Sequence, residues 1–154
     1  MYRYAVVLLL LPLLLQAGIL DCHLWIDPLD FGTQDQLYRQ SAEITTQLHI
    51  HCVNDPATGG GHYRVVFDYG AAQHPFTSSR QINGQRGGIA YNLYRDPSHI
   101  QVLGDGTAGT TILTGHSGSA AEYRNRYTLY GRIFATSDYQ EGIYLDHLTV
   151  RLSY

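Results

Sequence analysis

Ala42-Glu-Ile-Thr-Thr-Gln-Leu-His-Ile-His-Cys52 is the stretch that decides the fold. Ala42, Ile44, Thr46, Leu48, Ile50 and Cys52 share one parity, and Glu43, Thr45, Gln47, His49 and His51 share the other. Successive side chains of a strand point to opposite faces, so the run reads as a β-strand with a core face and a wet face. Cys52 lies on the core face.

The same period of two recurs on both sides of this strand. Cys22-His-Leu-Trp-Ile26 is a short apolar run that stops before Pro28, a first strand. Residues 54–61 combine Asn, Asp, Pro and three consecutive glycines, which is turn chemistry. Tyr63, Val65, Phe67 and Tyr69 predict a third strand, and residues 71–88 read as a long polar connection. Ile89-Ala-Tyr-Asn-Leu-Tyr94 predicts a fourth strand and residues 100–103 a short fifth. Gly, Thr and Ser dominate residues 104–119, with an apolar island at Thr111-Ile-Leu113. Residues 123–134 and 142–154 predict two more strands. In the last, Tyr144, Leu148, Val150, Leu152 and Tyr154 share one parity, and nothing follows it in this sequence to pair with its far edge. Beyond the N-terminal apolar run no window carries an apolar 3.6-residue repeat, so no substantial helix is expected. The expectation is an all-β, immunoglobulin-like β-sandwich in one domain.

Composition removes some functions. The chain has 154 residues, 44% of them hydrophobic and 15% charged, which is globular. Its ten basic residues are all arginine, and a formal charge of −3 gives no electrostatic support for a nucleic-acid partner.

The N-terminus reads as a targeting segment. Arg3 supplies a positive n-region, and residues 5–15 are apolar except for Pro12. Eleven residues are too few to cross a bilayer, which takes about twenty. They suit a signal-peptide core followed by small residues at Ala17 and Gly18. The expected organisation is a signal peptide over residues 1–18 and a single domain over 19–154, secreted without stable membrane insertion.

Export bears on Cys22 and Cys52. Two cysteines in an oxidising compartment allow one disulfide; two free buried thiols are the alternative. The pair lacks the spacing of a redox-active motif.

Candidate chemistry is thin. His49 and His51 share a wet face, but His23, His62, His74, His99, His116 and His147 are scattered and match no ligand spacing. Gly115-His-Ser-Gly118 is not a nucleophile elbow. Asp105 sits in a glycine-rich loop, and Asp146 suits a hydrogen-bonded anchor better than acid–base work. The reading is therefore no enzyme, no catalytic residue, no metal and no cofactor.

A set of ordered motifs points to a family. Leu29-Asp-Phe-Gly32 follows the first cysteine, and a strand ends at Cys52. Then come Ser79-Arg-Gln-Ile82, Tyr91-Asn-Leu-Tyr-Arg-Asp96, Gly104-Asp-Gly106, Tyr130-Gly-Arg-Ile133 and Gly142-Ile-Tyr-Leu-Asp146. The set resembles the spore coat protein U domain, the pilin domain of archaic, Csu-type chaperone–usher pili. Leu103 and Ile82 stand where the family pattern has Trp and Met, both apolar replacements.

The resemblance implies a sandwich lacking its last strand, which a periplasmic chaperone and then a sister pilin subunit supply during assembly at an outer-membrane usher. The groove for that strand would be edged by Leu148, Val150, Leu152 and Tyr154 of the last strand. It also implies a surface fibre used in adhesion or biofilm formation. Only residues 18–21 are left between the expected cleavage point and Cys22, too few for a donor strand, so the expected subunit accepts a strand without giving one and ends a fibre. Two other functions fit the same residues: a secreted coat or matrix protein, and a small lectin-like module using tyrosines.

Overall fold

The structure, a computed structural model, describes residues 18–70, 79–85, 87–138 and 140–154. The signal-peptide expectation falls on residues 1–18 and so lies, Gly18 apart, outside the described residues; His74 does too.

Eight strands are described: β1 (Ile19–Ile26), β2 (Ala42–Asn54), β3 (His62–Phe67), β4 (Arg80–Gly84), β5 (Gly87–Tyr94), β6 (Leu113–His116), β7 (Glu122–Ile133) and β8 (Val150–Ser153). They form a five-stranded sheet, β1-β2-β7-β5-β4, and a three-stranded sheet, β6-β3-β8. Every pairing is antiparallel. The described residues contain no helix. This is an all-β, immunoglobulin-like sandwich.

β2 is the spine of the larger sheet. It runs against β1 from Ile26↔Leu48 to Ile19↔Asn54 and against β7 from Ala42↔Ile133 to Val53↔Glu122. Its alternation sets what the sheets enclose. Leu48, Ile50, Val65, Phe67, Leu103, Leu113 and Leu129 are each at most 1% exposed, and each such side chain contributes roughly 1.5–3 kcal/mol of burial.

Four details depart from the sequence reading. β4 lies inside the stretch read as connection. Its inward residues are Arg80 and Ile82, and a buried arginine does not look like a core residue. β6 starts at the last residue of the apolar island. Its second inward position is Gly115, where a Cβ would collide with the Tyr63 ring and hydroxyl. Residues 100–103 are not a strand: Val102 and Leu103 make single bridges to Tyr94 and Thr111. The expected last strand is broken in two. Leu145 bridges Asn83 of β4 through two 2.9 Å backbone bonds, whereas β8 pairs with β3. Residues 145–153 therefore cross from one sheet to the other, and strand periodicity survives the crossing.

Candidate functional site

β1 and β8 are the outer strands of their sheets on the same side of the sandwich. Among the described residues no strand flanks the far side of β8. The two edges scarcely touch, the Tyr154 hydroxyl reaching Asp21 Oδ1 only at 3.5 Å. Between them the core is incompletely covered. Leu24 and Ile26 of β1, with Leu148, Val150 and Leu152 before and within β8, pack on the core yet remain partly exposed. A row of unpaired backbone groups beside a half-covered apolar strip is a template for another strand.

The residues singled out as a groove edge are not all in one strand. Val150 and Leu152 lie in β8, Leu148 precedes it, and Tyr154 follows it, 57% exposed. Cys22 and Cys52 are register partners on β1 and β2, and a disulfide joins them. The bond anchors the edge strand β1 to the spine of its sheet. Residues 18–21, read as the short stretch left ahead of Cys22, are tied into the larger sheet: Asp55 N donates to Gly18 O at 3.0 Å, and Asp21 pairs with Val53.

The opposite rim is finished by a polar hub. Arg80 is fully buried, its Nε and Nη2 donating to Asp68 O at 3.1 and 2.8 Å and Nη2 to Leu103 O at 2.7 Å. The Tyr91 hydroxyl donates to Asp146 Oδ2, and His147 N to Asp146 Oδ1 at 2.9 Å. Gly70, at φ +57°, packs its backbone so close to the Asp146 carboxylate that a Cβ would overlap it. The Tyr69 hydroxyl donates to Asp105 Oδ1, which also accepts from Thr107 N at 2.9 Å and Thr107 Oγ1 at 2.6 Å. These contacts hold the Asp105 carboxyl down at about 2, the Thr107 and Tyr69 hydroxyls being the main causes. Burial, and then the bond to Asp146, pushes the Tyr91 hydroxyl above its ordinary range. Burial lowers the Arg80 guanidinium, opposed by Tyr91, Asp68 and Asp146. Most of the motifs that were scattered along the sequence meet here, and they fasten β4, β5 and the segment at Leu145 and Asp146 together.

The remaining candidates have structural positions. His49 faces Asp27 at 3.2 Å and stacks on Trp25, while His51 Nε2 lies 3.4 Å from Glu122. No group of three or more potential metal ligands occurs among the described residues. Ser117, 1% exposed, donates to Asn54 Oδ1 at 2.7 Å and accepts from Gly61 N at 3.0 Å, which clips two loops together. Sequence reasoning gave no role to Arg80, since a charge in a polar stretch reads as solvated.

The Spore Coat Protein U domain matches residues 13–151. The chain belongs to that family. Its fold is also that of pilus subunits. It is similar, at 17% identity and a TM-score of 0.57, to a chain of the CsuC–CsuE chaperone–tip adhesion subunit pre-assembly complex of the archaic chaperone–usher Csu pili of Acinetobacter baumannii. That likeness covers 87% of this chain and 40% of the other, so the chain spans less than half of that relative's length. It is similar also to the P pilus rod subunit PapA, at 14% identity and a TM-score of 0.52, over 83% of this chain and 92% of that one. No curated protein sequence matches the chain.

Proposed function

We propose that this protein is a structural subunit of a chaperone–usher fibre that accepts a strand from another chain along β8. The observation that carries the reading is the rim: an edge strand whose inward Val150 and Leu152 face a partly covered apolar strip and, across it, Leu24 and Ile26 of β1. A strand laid there with apolar residues at every second position would bond to β8 and cover that strip. Family membership and the pilin-like fold agree with it. In this reading a periplasmic chaperone occupies the rim first and a sister subunit replaces it at an outer-membrane usher. The signal peptide over residues 1–18 delivers the chain to the periplasm. The fibre serves adhesion or biofilm formation at the cell surface. Such a subunit works by strand exchange, with no turnover, metal or cofactor.

The test is thermal unfolding of the full chain with peptides of alternating apolar residues. The matching peptide is expected to raise Tm by several degrees, corresponding to about 2 kcal/mol or more at saturation. A scrambled peptide leaves Tm unchanged, and Leu152→Arg, which places a charge in the strip, abolishes the gain. A high Tm that no such peptide moves would overturn the reading.

A further inference from the structure

The outer face of the β6-β3-β8 sheet carries a second feature, independent of its edge. On β3, Arg64 pairs across the ladder with Thr114 of β6 and Ser153 of β8, and one row away His62 pairs with His116. All five side chains are exposed. Arg151 of β8 pairs with Val66, which makes it the diagonal neighbour of Arg64. In such pairs the Cβ atoms lie on the order of 7 Å apart. Neither guanidinium has an ion pair or a side-chain hydrogen bond among the described residues. The contrast is with the other sheet, where Arg124 sits 3.1 Å and Arg132 3.7 Å from carboxylates. The paired positions of this face carry no acid. The next outward position of β3 beyond Val66 is Asp68, four residues from Arg64 and engaged with Gly70 N at 3.1 Å. Asp21 approaches from β1 and is already 2.9 Å from His23.

Two cationic side chains rooted at this spacing, with no counter-charge paired to either, concentrate like charge on one small area. An oxyanion between them offsets that charge and accepts from the fork-shaped donors. The surface is also concave here: Arg64, His62, Thr114 and Ser153 line an open depression, and Ile112 and Tyr154 give it apolar walls. Hydroxyl and imidazole groups around a guanidinium, beside a 57% exposed tyrosine ring, match the mixed surface of a sugar that carries an acidic group. A nucleic-acid strand would call for a larger cationic surface than a chain of net charge −3 provides.

We propose that this face is a binding site for acidic polysaccharide, with Arg64 and Arg151 holding carboxylate or sulfate groups and Thr114, Ser153 and Tyr154 contacting the ring that bears them. A strand added at the edge of β8 leaves the face uncovered, so an assembled fibre would display one such site for each copy.

The test is binding of a fluorescently labelled oligogalacturonate to the full chain, alone and with the β8 edge occupied by the alternating peptide. Binding is expected in both states and weakens as salt is raised. Arg64→Gln and Arg151→Gln each weaken it roughly ten-fold or more, with unchanged circular dichroism. Arg124→Gln, on the other sheet, has no effect, and neutral dextran does not bind. Absence of binding, equal binding of dextran, or full affinity in the Arg64→Gln/Arg151→Gln double variant would overturn the proposal. So would binding to phosphatidylglycerol vesicles without binding to the oligosaccharide. Failure of the peptide to raise Tm would count against the fibre reading alone.

Discussion

The two rims of this sandwich are built on opposite plans. At the β4–β5 rim a buried arginine, two tyrosines and two aspartates knit strands and loops together through paired polar groups. At the β1–β8 rim there is no comparable network among the described residues, and the apolar residues remain half covered. The first rim encloses charge at the expense of desolvation, which is stable only when the partners are all present. The second leaves hydrophobic burial incomplete, and an apolar strip left part-covered is the kind of surface at which proteins associate. One rim is closed from within the chain; the other, in the proposed reading, is closed by a strand from outside.

The comparison breaks most visibly at Arg80. Arg80→Met keeps the bulk of the side chain but leaves the buried Leu103 O and the part-buried Asp68 O without their donor and removes the charge facing Asp146. The expected loss is about 4 kcal/mol in urea unfolding. Arg124→Met, on an exposed ion pair, is expected to change stability by less than about 1 kcal/mol. Similar losses in the two variants would mean that the hub is not what closes this rim.

The open rim has a covalent tie instead. The Cys22–Cys52 disulfide closes a separation of 30 residues and binds the edge strand β1 to β2. In the chain-entropy account such a bond contributes about 3–4 kcal/mol. The Cys22→Ala/Cys52→Ala variant is expected to lose that much, and its β1 amides to exchange with solvent before those of β5. If protection were lost evenly across both strands, the bond would be stabilising the whole domain through the unfolded chain and not the rim itself.

How much of this was legible in the sequence follows from which residues carry period two. β2, β3, β5 and β7 alternate between apolar and polar residues, so fold class and most strands could be read. β4 was not legible because its key inward residue is Arg80, and β6 was not because Gly115 gives way to the Tyr63 ring. Alternation over 144–154 was visible, but it carries no information on pairing partners. Nothing in it showed that Leu145 would bridge β4 while Val150 and Leu152 joined β3. The hub's motifs could be listed in order yet not joined, since Arg80 and Asp146 lie 66 positions apart in the sequence. The pairing of Arg64 with Thr114 and Ser153 is likewise a product of register, which single-strand patterns do not specify.

The smallest expected effect concerns the outer end of the hub, and it sharpens the comparison because it depends on pH. Asp105 is held at about 2, below its ordinary 3.8, by the Thr107 and Tyr69 hydroxyls. A carboxyl depressed in the folded state contributes stability that is present above the unfolded value and is lost as pH falls through the folded one. The contribution should therefore be complete above about pH 4 and fade toward pH 2. Asp96 and Glu122 are lowered as well, so acid weakens the domain for several reasons at once. Asp105→Asn isolates one of them: it keeps an acceptor for Tyr69 but removes the charge. Because the carboxylate lies close to solvent, the cost at neutral pH is expected to be no more than about 1 kcal/mol, a few degrees in Tm. The difference between native and variant Tm should be constant from neutral pH down to about pH 4 and close as pH approaches 2. A difference that persisted unchanged to the acid end would show that Asp105 acts through shape and not through its charge. The outer part of the hub would then hold by packing, as the core does.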